Sequence, residues 1–139
     1  MNLNTNRQER SHDVGTWGPG NFEDDTAADG LGEITDDLIA KISEQFADED
    51  DDTALEPDEW GGSMVPAWLE LLTDLGSAGR VGATFPASTT IETWRDRYLR
   101  VWDEYIDELD PDEDYRVDRL RVLTSTFERA LALAHKREA

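Results

Sequence analysis

Apolar residues recur at intervals of three and four along most of the chain, and this spacing is the feature that most limits its fold. Such spacing places apolar side chains on one face of a helix. Four segments show it, with the apolar residues Leu31, Ile34, Leu38, Ile42 and Phe46; Trp60, Met64, Trp68, Leu71, Leu72 and Leu75; Ile91, Trp94, Tyr98, Val101, Trp102, Tyr105 and Leu109; and Leu120, Leu123, Phe127, Leu131 and Ala134. No segment alternates apolar and polar residues as a strand would. The sequence predicts an all-α domain of about four helices.

Local signals set the expected ends of the first two helices. The first is predicted over about residues 23–46, with Asn21 as its N-terminal cap and acidic residues in its first turn. Pro57 suits the first turn of the second helix. Pro66 falls inside that helix and predicts a kink or a split, because proline removes one hydrogen bond of the helix.

Similar signals delimit the last two helices. Thr89 is predicted to cap the third, with Glu92 three positions later completing a capping box. Asp110 and Pro111 are expected to end that helix and begin the fourth, which runs to about residue 136.

The length of 139 residues is typical of one domain. Residues 1–14 are polar and without period, which predicts a disordered arm, and residues 15–137 are expected to form the single helical domain. The chain has no cysteine, no apolar run long enough to span a membrane and no visible signal peptide. We therefore expect a cytoplasmic protein without a membrane role.

Acidic residues are concentrated in one part of the chain. The formal net charge is -20, and residues 23–75 contain 18 acidic residues and one basic residue, Lys41. Such a surface repels nucleic acids and anionic lipids and attracts basic partners. The same acidity is typical of chains adapted to high salt, so both interpretations stay open at this point.

The stretch GTWGPGNFEDDTAADGL, residues 15–31, places glycines around a tryptophan just before the first helix. A phosphate site would need a nearby cation, whereas three carboxylates follow. We interpret the stretch as an irregular, glycine-rich entrance to the helix, pinned by Trp17 and Phe22 folded back onto the helices, with the motif residues Gly15, Trp17, Gly18, Gly20, Phe22 and Asp25.

This stretch resembles the N-terminal signature of the domain-of-unknown-function 4259 family, a family of small bacterial proteins. The match lies at Gly15, Trp17, Gly18, Gly20, Phe22, Asp25, Ala27 and Asp29. The chain departs at Asp24, where the family commonly has asparagine. The resemblance implies a compact, mainly helical domain and supplies no catalytic residue.

The run DEDDDTALEPDE, residues 48–59, is the best candidate for a metal site. Asp48, Asp50, Asp52 and Glu59 fall at positions 1, 3, 5 and 12 of a calcium-binding loop of the EF-hand type. Thr53 stands where that loop needs glycine, and a solvated acidic loop explains the run equally well. A calcium-responsive domain is therefore an alternative function, and no other cofactor is expected.

Catalysis has little support in the sequence. His12 and His135 lie far apart along the chain, and a carboxylate pair such as Glu33 and Asp37 is the remaining basis for an enzyme. We expect a non-catalytic protein-binding domain, similar to an immunity protein or an inhibitor, of unspecified oligomeric state. Its expected surface for a basic partner includes Asp36, Asp37, Glu44, Asp51, Glu56 and Asp58.

Overall fold

The computed structural model describes residues 15–139, which form a single all-α domain. Its four helices are α1 (Asp25–Gln45), α2 (Trp60–Ser77), α3 (Ser88–Tyr105) and α4 (Glu113–Glu138), with short 3-10 helices at Thr53–Leu55 and Ile106–Leu109. This confirms the predicted fold class. Within these residues β-pairing is limited to one isolated bridge between Thr16 and Asp24. The predicted arm, residues 1–14, lies outside the described residues.

The order of packing is α1, α2, α4 and α3. Helix α2 contacts both α1 and α4, and α4 also contacts α3. Helix α1 therefore joins the bundle mainly through α2 and leaves its opposite face in solvent. None of the helices among the described residues is long and apolar enough to cross a membrane.

The core largely follows the predicted apolar faces. It consists of Ile42, Leu55, Val65, Trp68, Leu69, Leu72, Ile91, Trp94, Tyr98, Val101, Trp102, Ile106, Leu123, Phe127, Ala130, Leu131 and Ala134. The prediction is wrong at Ile34, Trp60, Leu71 and Leu109, which are 51%, 68%, 54% and 47% exposed. Thr35, next to Ile34, and Leu69, two residues before Leu71, are buried instead, because these two helices are turned slightly relative to the expected face.

Two predicted helix caps are wrong. Asp24 caps α1 in place of Asn21, since its side chain accepts a hydrogen bond of 2.7 Å from the amide of Ala27. Helix α3 begins at Ser88 without the predicted capping box. The carboxylate of Glu138, from the end of α4, accepts hydrogen bonds from both the amide and the hydroxyl of Ser88 at 2.8 Å. These bonds lower the pKa of Glu138 and join the ends of two helices.

Helix α2 continues through Pro66 without the predicted split. Proline has no amide hydrogen, so the carbonyl of Gly62, four residues earlier, lacks its usual helical donor. The buried hydroxyl of Tyr98 on α3 donates to that carbonyl. A side chain from a neighbouring helix thus replaces the missing backbone hydrogen bond.

Candidate functional site

The carboxylates of residues 23–75 largely lack ion pairs. Among the described residues, Asp52 pairs with Arg97 and Arg100, and Asp74 pairs with Arg129. The other sixteen acidic residues of the segment have no basic partner within that part of the chain. Arg95, Arg116 and Arg121 instead bind acids on or near α3 and α4. The structure therefore keeps the negative charge of the segment uncompensated.

Helix α1 carries much of this charge on the face that points away from the bundle. The carboxylates exposed along it are Asp25, Asp29, Glu33, Asp36, Asp37 and Glu44. Asp36 also accepts a hydrogen bond of 2.6 Å from Thr84. Glu33 and Asp37, considered above as an acid–base pair, are both exposed, and no Asp or Glu of the described chain is buried. An enzyme based on a buried carboxylate pair gains no support.

The charged side chains of the loop between α1 and α2, residues 46–59, are all carboxylates, and we call this segment the acidic loop. It is organised around the guanidinium of Arg97. Its Nε donates to Asp52 Oδ1 at 3.0 Å and its Nη1 to the carbonyl of Phe46 at 3.1 Å. Its Nη2 donates to the carbonyls of Asp48 and Asp51. The Arg97 side chain is 14% exposed, so a nearly buried cation collects oxygen ligands from the whole acidic loop.

The residues predicted to bind calcium have other roles in this loop. Asp48 accepts a hydrogen bond from the amide of Asp50, and Asp52 pairs with Arg97. Glu59 immediately precedes the first turn of α2. No three Asp, Glu or His side chains between residues 15 and 139 are grouped so that they could hold a metal ion. The positive charge that lies among these carboxylates is the guanidinium of Arg97, in the place where the calcium hypothesis expected a metal ion.

A cluster of carboxylates lies where this loop meets the 3-10 helix Ile106–Leu109. Partial burial raises the pKa of Glu56, and the negative charges of Asp58, Glu59, Glu108 and Asp51 raise it further. We call these five residues the acidic cluster. Their mutual repulsion would be relieved by a positive charge placed nearby.

The glycine-rich entrance encloses one of its own carboxylates. The amide of Gly20 donates to Glu23 Oε1 at 2.7 Å, and the amide of Trp17 donates to the carbonyl of Glu23 at 2.9 Å. A Cβ atom on Gly18 or Gly20 would lie 2.7 or 2.5 Å from the Glu23 carboxylate. Glycine is needed at these two positions because a side chain would collide with the Glu23 carboxylate, and no bound ligand is required to explain them.

The aromatic residues of the entrance, predicted to fold back onto the helices, remain partly exposed. Trp17 is 46% exposed and Phe22 is 36% exposed, with the guanidinium of Arg80 stacked 5.2 Å from the centre of the Phe22 ring. Gly15, at a φ of +85°, instead fixes the entrance, because its carbonyl accepts a hydrogen bond of 2.8 Å from the amide of Asp25.

Replacing Arg97 with alanine is expected to destabilise the protein by about 2 kcal/mol, because it removes charged hydrogen bonds from a nearly buried site. The same change should increase amide hydrogen exchange across residues 46–55. Arg95→Ala is the matched control, since Arg95 lies on the same helix and pairs with its neighbour Asp96. Equal losses of stability in both variants, or unchanged exchange in the loop, would contradict this role of Arg97.

Comparison with known proteins identifies a family. The model of the family described as "Domain of unknown function (DUF4259)" matches residues 15–129, which extend from the glycine-rich entrance into α4. No curated protein and no solved structure matches the chain.

Proposed function

This chain belongs to the DUF4259 family, whose description names no activity, and we propose from its surface that it is a non-catalytic domain that binds a basic protein. The proposed binding surface runs from the outer face of α1 to the acidic cluster. It includes Asp36, Asp37, Glu44, Asp51, Glu56 and Asp58.

One observation carries the proposal: sixteen of the 18 carboxylates in residues 23–75 have no ion pair within the described chain. Unpaired like charges repel one another and destabilise the compact state, whereas a basic partner relieves that repulsion on binding. Residues 76–139 are more nearly balanced, with thirteen acidic and ten basic residues, and Arg116 there pairs with Asp103 and Asp107. A surface left charged on one part of the molecule supports a role in recognition.

The most concrete form of this function is an inhibitor or immunity-like protein in the cytoplasm. A small acidic protein can cover the cationic active site of a nuclease or another basic enzyme. Complementary charge also accelerates the encounter of the two proteins. The proposal therefore predicts association that weakens strongly with added salt.

The test compares two variants with the same change in net charge. The surface variant carries Asp37→Asn, Glu44→Gln, Glu56→Gln and Asp58→Asn. The control variant carries Glu92→Gln, Glu113→Gln, Asp114→Asn and Glu128→Gln, four acidic residues outside the proposed surface and without ion pairs in the described chain. Each immobilised protein captures partners from a lysate of the cells that encode it, at about 50 mM and about 500 mM salt, where electrostatic screening differs severalfold.

We expect the unmodified chain and the control variant to retain the same basic protein at low salt, and the surface variant to lose it. The purified partner should then bind at least about tenfold more weakly to the surface variant, which is a loss of roughly 1.4 kcal/mol. Capture of no basic protein, capture that is insensitive to salt, or equal losses in the two variants would each overturn the proposal.

A further inference from the structure

A cavity of about 490 Å³ lies beside the acidic cluster, between α2, α3 and α4. Its apolar wall is formed by the side chains of Tyr98, Trp102, Ile106, Leu109 and Tyr115. Its volume is within the range of pockets that bind small molecules. Leu109 and Tyr115 are 47% and 55% exposed, so the wall leaves apolar surface uncovered at the opening.

The wall is largely preformed. Tyr98 and Trp102 are buried in the core, and the guanidinium of Arg116 stacks 5.7 Å from the centre of the Trp102 ring on its outer side. Burial raises the pKa of Tyr98 to about 12, against a smaller opposing effect of Arg119, so its hydroxyl is neutral under ordinary conditions. Tyr98 and Trp102 are only 1% and 2% exposed, so they form a fixed base, and a ligand would contact the exposed side chains of Leu109 and Tyr115.

The cavity also contains one charged group of each sign, both from α4. Asp112 and Arg119 are seven residues apart, so they lie on the same side of the helix, two turns and about 10 Å apart along its axis. Neither residue has an ion pair within the described chain. Asp112 occupies the N-terminal cap position of α4, yet its side chain forms no capping hydrogen bond.

These charges limit the kind of molecule that fits. The acidic cluster borders the cavity, because Glu56 and Asp58 flank the lining residue Pro57, and Glu108 precedes Leu109. A simple anion is repelled by this cluster and by the net charge of -20, whereas a simple cation meets the guanidinium of Arg119. A molecule that carries both charges avoids both penalties.

We propose that this cavity binds a small zwitterion with an apolar body, namely an α-amino acid with an aromatic or branched side chain. Arg119 binds its carboxylate, Asp112 faces its ammonium group, and the exposed side chains of Leu109 and Tyr115 accept its side chain. This proposal does not rest on the protein partner proposed above, because the ligand occupies the cavity itself, although the acidic cluster at its border also belongs to the proposed binding surface.

The test uses three probes of similar shape. L-phenylalanine carries both charges, phenylacetate lacks the ammonium group, and phenethylamine lacks the carboxylate. We expect L-phenylalanine to bind at least about tenfold more tightly than either of the others, measured by calorimetry and by ligand-observed NMR. Absence of binding by L-phenylalanine, or equal binding by phenylacetate, would overturn the proposal.

Matched variants identify the residues responsible. Arg119→Gln and Asp112→Asn should each weaken the binding of L-phenylalanine, and only Asp112→Asn should leave phenylacetate unaffected. The controls are Arg121→Gln and Asp114→Asn on the same helix, whose side chains do not line the cavity. Circular dichroism confirms that each variant is folded. Weakening by the control variants to the same extent would show that the binding depends on overall charge, and would refute the assigned site.

Discussion

Replacing Gly62 with alanine is expected to destabilise the protein by about 3 kcal/mol or more, which is the upper range for inserting a methyl group into a packed site. A Cβ atom there would lie 1.9 Å from the carbonyl oxygen of Glu56 and 3.0 Å from that of Leu55. Both atoms belong to backbone, and Leu55 is fully buried, so neither moves without displacing the acidic loop. Denaturation by urea, monitored by tryptophan fluorescence, measures the loss.

Gly30→Ala is the natural control for this experiment. Gly30 lies within α1, and a Cβ atom there would meet nothing within 4 Å. Alanine favours helix over glycine by up to about 1 kcal/mol, so this variant should be more stable than the unmodified chain. The same chemical change is therefore expected to have opposite effects at two helical positions. A small effect at Gly62 would show that the contact of α2 with residues 55–56 is readily deformed.

The effect at Gly62 also bears on the proposed binding surface. The close approach of α2 to the backbone of residues 54–56 fixes where Glu56 stands relative to Asp58 and Glu108. The sequence alone did not single out Gly61 and Gly62 as contact glycines. Two adjacent glycines at the start of a predicted helix were the available signal, because glycine is unfavourable there unless another backbone lies close.

The apolar spacing predicted the helices because the residues that form the buried face of a helix all lie within that one segment of the sequence. Helix α4 shows this best: Leu123, Phe127, Leu131 and Ala134 are all buried as their spacing predicts. The stop at Asp110 and Pro111 was equally local, and Asp110 takes up the left-handed conformation, with a φ of 50°, that ends the 3-10 helix. The unpaired charge of residues 23–75 was foreseen in sign and position, although not the cavity beside it.

Contacts between distant residues could not be predicted in this way. Arg100 pairs along its own helix with Glu104, whereas Arg97 reaches across to the acidic loop. Its position three residues after the buried Trp94 was a signal, because that spacing turns its side chain inward. The bond between Glu138 and Ser88 joins residues 50 positions apart, and nothing in either local sequence requires it.

The hydrogen bond from Tyr98 to the carbonyl of Gly62 leads to the second large prediction. Tyr98→Phe should cost about 1–3 kcal/mol, because it leaves a buried carbonyl without a donor. In a Pro66→Ala background, the new amide of residue 66 can donate to that carbonyl, as in an ordinary helix. Tyr98→Phe should then cost about 1 kcal/mol less, and a double-mutant cycle measures that difference while cancelling the separate effects of the proline.

A second measurement distinguishes the contribution of the Tyr98 hydroxyl to stability from that of its aromatic ring. Burial raises the pKa of Tyr98 from 10.0 to about 12, so the folded state holds its proton more tightly than the unfolded state does. The stability that this proton contributes is complete below pH 10 and is lost as the pH rises towards 12. The unmodified chain should therefore lose more stability over this interval than the Tyr98→Phe variant, whose phenylalanine has no proton to lose. Equal alkaline losses together with zero coupling to Pro66 would mean that the helix accommodates its proline by some other contact.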